Sequence, residues 1–237
     1  MRSLGVICAR AASKRLPRKN LRPLNGVPLV AYCASAARRA RLDSVIVSTE
    51  DREIAAICVG HGVEAPFVRP EELAADYASS PDIVGHAVDW MRTQRGLDYD
   101  IVVVLQPTTP FVLPEHIDAC VDALKHDAGA ACCFTARPAS EPPQWMFMRG
   151  EDGRVSPLLG EAIGAEREHA QLLATHYLPN GAAYAVRLAA LAAQRRIICD
   201  PARIVVMPPE RSVDIDDELD WLFAERVARH YSLTPCG

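Results

Sequence analysis

Two stretches of ionisable residues, one near each end of the chain, hold most of the chemistry open to this sequence. The first is Ala9-Arg10-Ala11-Ala12-Ser13-Lys14-Arg15-Leu16-Pro17-Arg18-Lys19-Asn20. Small residues at 11–13 let a backbone approach a phosphate, and the cations around them, Arg10 and Lys19 included, offset its charge. The spacing matches neither the GxxxxGK(S/T) loop nor the GxGxxG fingerprint. By composition alone, a solvated basic loop accounts for it as well as an anion site does. The second stretch is Ser212-Val213-Asp214-Ile215-Asp216-Asp217-Glu218-Leu219-Asp220. In extended backbone alternate side chains share a face, so Asp214 and Asp216 converge while Val213 and Ile215 turn to the core. Two carboxylates so disposed suit Mg²⁺, which takes oxygen ligands and keeps waters and phosphate oxygens. Taken in isolation, Asp216 or Asp217 suits the cap of a following helix equally well.

Three shorter segments add polar groups. Gln106 stands in Leu105-Gln106-Pro107-Thr108-Thr109-Pro110, otherwise a prolyl turn after a strand. Asn180 and Tyr184 stand in Pro179-Asn180-Gly181-Ala182-Ala183-Tyr184, where Asn-Gly by itself signals a turn. In Asp76-Tyr77-Ala78-Ser79-Ser80, either serine is a good helix cap. His61, His86, His116 and His126 fall in helices or at helix ends and read as surface or packing residues, with no His-centred triad.

The elements that must position these groups follow from the hydrophobic pattern. Short apolar runs alternate with helical patterns, the signature of an α/β protein whose mostly parallel central sheet is sandwiched by helices. Strands are expected near residues 4–9, 44–48, 63–68, 101–105, 130–135, 182–186 and 203–206. Helices are expected near 28–39, 51–60, 79–94, 114–125 and 216–231. Such sheets bind ligands beyond the carboxyl ends of their strands. That brings together 10–20, 106–110, 180–184 and 214–216. Residues from about 138 to 175 are punctuated by Pro and Gly and carry the apolar run Trp145-Met146-Phe147-Met148. They read as an inserted arm or hairpin in a single domain spanning 1–237, being too long for a structureless loop.

Composition narrows the class. The 237 residues are 49% hydrophobic and 24% charged with net charge −4, an ordinary globular balance. No basic stripe marks a nucleic-acid binder. No apolar run approaches the ~20 residues of a membrane span, and no apolar leader with a cleavage site opens the chain. The eight cysteines fall mostly in apolar stretches without zinc or CxxC spacing, which points to reduced thiols and a cytoplasmic protein.

Motif order says more than composition. Arg10 followed by S-K-x-x-P-R-K-N resembles the A-R-G-G-S-K-x-(I/L)-P-x-K-N signature of the CMP-sugar-acid synthetases, the acylneuraminate cytidylyltransferases. Residues 105–110 are similar to that family's L-Q-P-(T/S)-(S/T)-P, residues 179–184 to P-N-G-A-x-Y, and residues 76–80 to D-x-A-S-S. Residues 212–220 resemble S-I-D-I-D-T-E-L-D almost position for position. The motifs keep the family order across about residues 4–225. There are departures. Ala11 and Ala12 replace paired glycines, which requires that neither position adopt φ > 0. Phe111-Val112 replaces Leu-Arg, and Ala170-Gln171-Leu172 stands where the family has R-Q-D.

The resemblance implies a Rossmann-like nucleotidyltransferase with an arm that crosses to the second subunit of a homodimer. It implies transfer of CMP from CTP to the anomeric hydroxyl of a sugar acid of the N-acetylneuraminate or legionaminate type, releasing pyrophosphate. The alternatives are a pseudaminic or ulosonic acid acceptor, or a catalytically weakened nucleotide-binding protein. Carried over residue by residue, it puts Arg10 and Lys19 on the triphosphate. Ser13 and Asn20 hold phosphate, ribose or base, and Ser79 borders the nucleotide. The resemblance likewise implies that Gln106, Asn180 and Tyr184 contact the sugar acid and that Asp214 and Asp216 hold Mg²⁺.

Overall fold

The computed structural model describes residues 1–75, 77–160 and 173–235. Asp76, the Ala170-Gln171-Leu172 stretch and the middle of the expected arm lie outside the described residues. In chain order the strands are β1 (Ser3–Cys8), β2 (Pro23–Leu24), β3 (Val27–Pro28), β4 (Ser44–Ser48) and β5 (Ile101–Leu105). They continue with β6 (Cys132–Pro138), β7 (Phe147–Arg149), β8 (Val155–Pro157), β9 (Tyr177–Arg187) and β10 (Ala202–Val206). The helices are α1 (Leu29–Arg39), α2 (Arg52–Gly60), α3 (Glu71–Ala74), α4 (Ser80–Arg95), α5 (Pro114–His126), α6 (Leu188–Gln194) and α7 (Glu218–His230).

The main sheet runs β10-β6-β9-β5-β1-β4. β1 lies parallel to both β4 and β5, and β10 parallel to β6, while β9 pairs antiparallel with β5 and β6. The sheet is therefore mostly parallel, with one reversed strand inside it. β5 shows why the centre forms here: five apolar residues, β-branched but for the last, are all buried. Ile101, Val103 and Leu105 face one core with α1, α2 and α5, whereas Val102 and Val104 face a second core with α4 and α6. Burial of a side chain such as Ile7 or Leu105 contributes about 1.5–3 kcal/mol. A third cluster packs α7, through Trp221, Ala224 and Val227, against Leu16, Val213 and Ile215.

Helix boundaries follow their caps. The Asp51 carboxylate accepts from the backbone N–H of Glu53 and Ile54 at 2.7 and 3.0 Å and starts α2. Ser79 caps α4, and Gly96 at φ 63° ends it in the left-handed conformation glycine adopts freely. Asp217 caps α7 in a reciprocal box with Asp220. The expected helix at 216–231 thus starts two residues later, leaving Asp216 outside the helix and ahead of the cap.

Two expectations give way. Residues 63–68 are not a strand: only Glu64 bridges to Ile46, after which Pro66, without an N–H, cannot continue the ladder. Pro28 does not open α1 but closes a small hairpin, β2–β3, turned by Asn25-Gly26 with both residues at positive φ. Besides that hairpin, two helices stand where none was expected, α6 and the four-residue α3. Within residues 138–175, β7 and β8 form an antiparallel hairpin whose Phe147, Met148 and Val155 are exposed, as are Leu158 and Leu159 beyond it.

Candidate active site

β1 ends on Cys8, and the N–H of Ala9 still bonds to Ser48 O at 3.2 Å, so Arg10 emerges at the carboxyl end of the sheet. The basic segment then folds back through a 3-10 turn at Lys19–Leu21. Its left-handed step falls on Arg18, φ 54°, and not on Ala11 or Ala12. The alanines therefore satisfy the condition their lack of a glycine imposed. Glu50 anchors this bend by accepting from the N–H of Ala11 at 2.7 Å. Asn20 donates its amide to Arg10 O at 2.8 Å, which leaves Oδ1 buried without a protein partner.

The acidic segment reaches the same place from the other end of the chain. Val213 and Ile215 are buried as their alternation requires, and Ile215 N–H bonds to Thr108 O at 2.9 Å, tying this strand-like run to the Gln106 turn. Lys19, almost fully buried, donates to Ile215 O and lies 3.4 Å from Asp216 Oδ1. Arg15 pairs with the other oxygen of Asp216 at 2.9 Å. The result is one crevice of about 510 Å³. Arg10, Ser13, Lys19 and Asn20 from the basic segment line it together with Gln106, Asp214 and Asp216.

Asp214 is open to the crevice yet surrounded by protein. That shortage of solvent raises its carboxyl above the ordinary aspartate value; Asp216 adds to the rise, against the opposing pull of a Thr108 hydrogen bond and of Lys19. Two neighbouring carboxylates, one of them raised chiefly by loss of solvent and then by the charge of the other, suit a divalent cation. Among the described residues no group of three or more His, Cys, Asp or Glu side chains forms a metal cage. Two carboxylates instead fit an ion that completes its shell with phosphate oxygens and water.

Asn180-Gly181 is not a turn before a strand. It lies within β9, where the pairing with β6 shifts register between Phe134 and Ala136. Gly181 sits at φ 82°, and a Cβ there would meet Thr109 Oγ1 at 3.0 Å and both Asp214 Oδ2 and Gln106 Oε1 at 3.4 Å. Asn180 is 3% exposed, and its amide is fully engaged: Nδ2 bonds to Ser212 Oγ at 3.0 Å, and Oδ1 accepts from Ala182 N–H at 3.3 Å. Expected at the sugar, it joins β9 to the segment that carries Asp214 and is not among the residues lining the crevice.

A second hollow of about 400 Å³ adjoins the first through Gln106. Tyr184 lines it, stacked on Phe134 with centroids 6.2 Å apart, its hydroxyl raised by burial and then by the charge of Asp214. Val104, Ile197 and Ile198 give it an apolar wall, and Arg195 and Arg196 a cationic rim. Ser79, expected at the nucleotide, lies in this hollow and not in the Arg10 crevice; its Oγ accepts from Asp82 N–H as the α4 cap.

Arg69 escaped notice in the sequence. It is 3% exposed at the end of β4, donating from Nε to Ser48 Oγ at 3.0 Å and from its guanidinium to Ser48 O. Its charge acts on Cys8, whose thiol burial pushes up to about 11, too high to serve as a nucleophile. A single Arg before Pro70 carries no periodicity or spacing; only its burial marks it.

No helix among the described residues is long and apolar enough to cross a membrane. Residues 4–196 match the family described as Cytidylyltransferase. Over 232 residues the chain is 31% identical to a CMP-N,N'-diacetyllegionaminic acid synthase of Legionella pneumophila, with 96% of each chain covered. Over 226 residues it is 30% identical to a pseudaminic acid cytidylyltransferase of Campylobacter jejuni, with 95% of each covered. A solved structure of a CMP:2-keto-3-deoxy-manno-octonic acid synthetase complexed with CTP shares the fold, with TM-score 0.67 at 17% identity over 98% of this chain and 100% of that one. With a family match over most of its length and relatives that align nearly from end to end, this chain belongs to the cytidylyltransferase family.

Proposed function

We propose that the enzyme transfers CMP from CTP to the anomeric hydroxyl of a sugar acid and releases pyrophosphate. The observation that carries this reading is the crevice itself, where a cationic loop after β1 faces two carboxylates from the far end of the chain. In the reaction the hydroxyl oxygen bonds to the α-phosphorus, the bond from that phosphorus to the bridging oxygen breaks, and pyrophosphate leaves; the hydroxyl proton goes to solvent. Catalysis of such a displacement rests on positioning and on neutralising charge at phosphate oxygens. Arg10 and Lys19 supply cations, and Ser13 a hydroxyl donor, to the triphosphate. Asn20 donates one amide N–H to Arg10 O, and its unpartnered Oδ1 accepts from a ribose hydroxyl or base amine, since a phosphate offers no donor. Asp214 and Asp216 would hold Mg²⁺, which supplies charge neutralisation and acidifies a coordinated hydroxyl.

The acceptor lies in the second hollow, against Gln106 and Tyr184, with Ser79 at its edge. Its apolar wall suits an acyl substituent and its arginines a carboxylate. That combination, with relatives named for legionaminic and pseudaminic acids, supports a nine-carbon N-acylated acid over a shorter ulosonic acid. We read the chain as one nucleotidyltransferase domain with 138–175 as an inserted arm. The exposed apolar side chains of β7–β8 support a homodimer in which a second subunit covers them. Cysteines that form no disulfide among the described residues support a reducing, cytoplasmic setting, and cell fractionation should recover the protein there.

The test is pyrophosphate release from CTP with Mg²⁺ and a panel of neuraminic, legionaminic, pseudaminic and ulosonic acids. Turnover with an N-acylated nine-carbon acid is the expected result. CTP binding without turnover on any acid would replace the enzyme with a nucleotide-binding protein.

A further inference from the structure

The two carboxylates of the crevice are treated unequally. Asp216 has a cation on each oxygen, Lys19 at 3.4 Å on Oδ1 and Arg15 at 2.9 Å on Oδ2. Asp214 has no ion pair within contact distance among the described residues. The two cations also differ. Lys19 is buried and held by Ile215 O, so it is a fixed part of the site. Arg15 has a side chain 66% exposed, and among the described residues Asp216 is its one ion-pair partner.

Its base is nonetheless secured. The next residue, Leu16, is 3% exposed and packs in the same apolar cluster as Val213 and Ile215, the residues on either side of Asp214. The loop and the acidic segment are thus joined side chain to side chain, and Arg15, one residue before that joint, lines the crevice.

We propose that Arg15 is a phosphate-binding residue that rests on Asp216 when the crevice is empty and moves to the outer phosphates of the nucleotide when a metal–nucleotide complex enters. This rests on the functional reading above. The physical reason is competition: the oxygen that Arg15 occupies is one that a divalent cation needs, and a guanidinium and a metal ion repel. Arg15 leaves Asp216 as the cation arrives, and the triphosphate entering the same crevice is the nearest new anion. An exposed ion pair is weak enough to be exchanged, and the planar fork of arginine fits two phosphate oxygens at once.

The exchange makes opposite predictions for two ligands. Without nucleotide, Arg15→Ala frees an oxygen of Asp216, so Mn²⁺ alone, followed by the free-ion EPR signal, binds about two- to fivefold tighter than to wild type. Inorganic pyrophosphate, followed by calorimetry without metal, binds the same variant about tenfold weaker, and KM for CTP rises more than kcat falls. Arg15→Lys keeps the charge and loses the fork: Mn²⁺ affinity stays near wild type, and pyrophosphate affinity falls less than in the alanine variant. An unchanged thermal midpoint shows that the variants fold. Unchanged affinity of Arg15→Ala for either ligand overturns the exchange. A wild-type protein that binds neither pyrophosphate nor CTP overturns the functional reading instead.

Discussion

Asp214 joins two opposed demands in one side chain. Its carboxyl is held above the ordinary value by burial and by Asp216, so the folded protein takes up its proton more readily than the unfolded chain does. For an acid with a raised folded-state value, ionisation disfavours folding at neutral pH, and that penalty fades as pH falls through the raised value. Asp214→Asn should therefore melt at a higher temperature than wild type near pH 7, with the gap closing in acid, as calorimetry across pH would register. The same variant, like Asp214→Ala, should lose on the order of 10²–10³ in kcat, the usual effect of removing a preorganised charge. Near-normal turnover would take Asp214 out of the reaction. In the wild type, the acid limb of kcat/KM should lie above the usual aspartate range, and Asp216→Asn, which removes one cause of the rise, should move Asp214's own titration to lower pH. At this scale the sequence was most legible where chemistry is written in order: Arg10, Lys19, Gln106, Asp214 and Asp216 stand in motifs and meet in one crevice. Arg69 and the inward turn of Asn180 were not, because each is defined by what surrounds it and not by its neighbours in the chain.

Among the elements, β9 and α4 set two separable tests. Gly181 holds the irregular stretch of β9 against Thr109, Gln106 and Asp214 at once. Gly181→Ala forces a Cβ into a left-handed position at a cost of about 1–2 kcal/mol before any clash with Thr109 is counted. It should lower the thermal midpoint and also depress kcat, because the displaced neighbours are those of the crevice. Ser79 is the contrasting case, being a helix cap that borders the acceptor hollow. Ser79→Ala should cost about 1 kcal/mol of stability in denaturant unfolding while leaving KM for CTP unchanged. A large rise in that KM would return Ser79 to the nucleotide. Elements bounded by caps and turn residues were readable in advance, as α2 after Asp51 and α4 after Ser79 illustrate. Residues 63–68 misled because β-rich composition says nothing of the ladder that Pro66 interrupts. Helix α6 was hidden because its seven residues, nearly all Ala and Leu, show no amphipathic period, only propensity.

For the whole molecule, the order of strands was less predictable than their existence. Parallel alternation foretold the sheet, yet not that β9 would enter it reversed between β5 and β6. The exposed hairpin makes its own prediction: Phe147→Asp should shift the protein from dimer towards monomer in sedimentation at micromolar concentration, and a wild-type monomer would refute the covered-arm arrangement. The reversed strand also governs when the protein comes into being. Residues 101–105 and 132–138 find their shared neighbour only in 177–187. A nascent chain still short of residue 177 carries β5 with one flank bare and β6 with no seat beside it, and the wall behind Gln106 does not yet exist. Assembly of the crevice is thus deferred until late in translation, and through that interval two apolar strands wait with open edges, the span in which a ribosome-bound chaperone has most to shield.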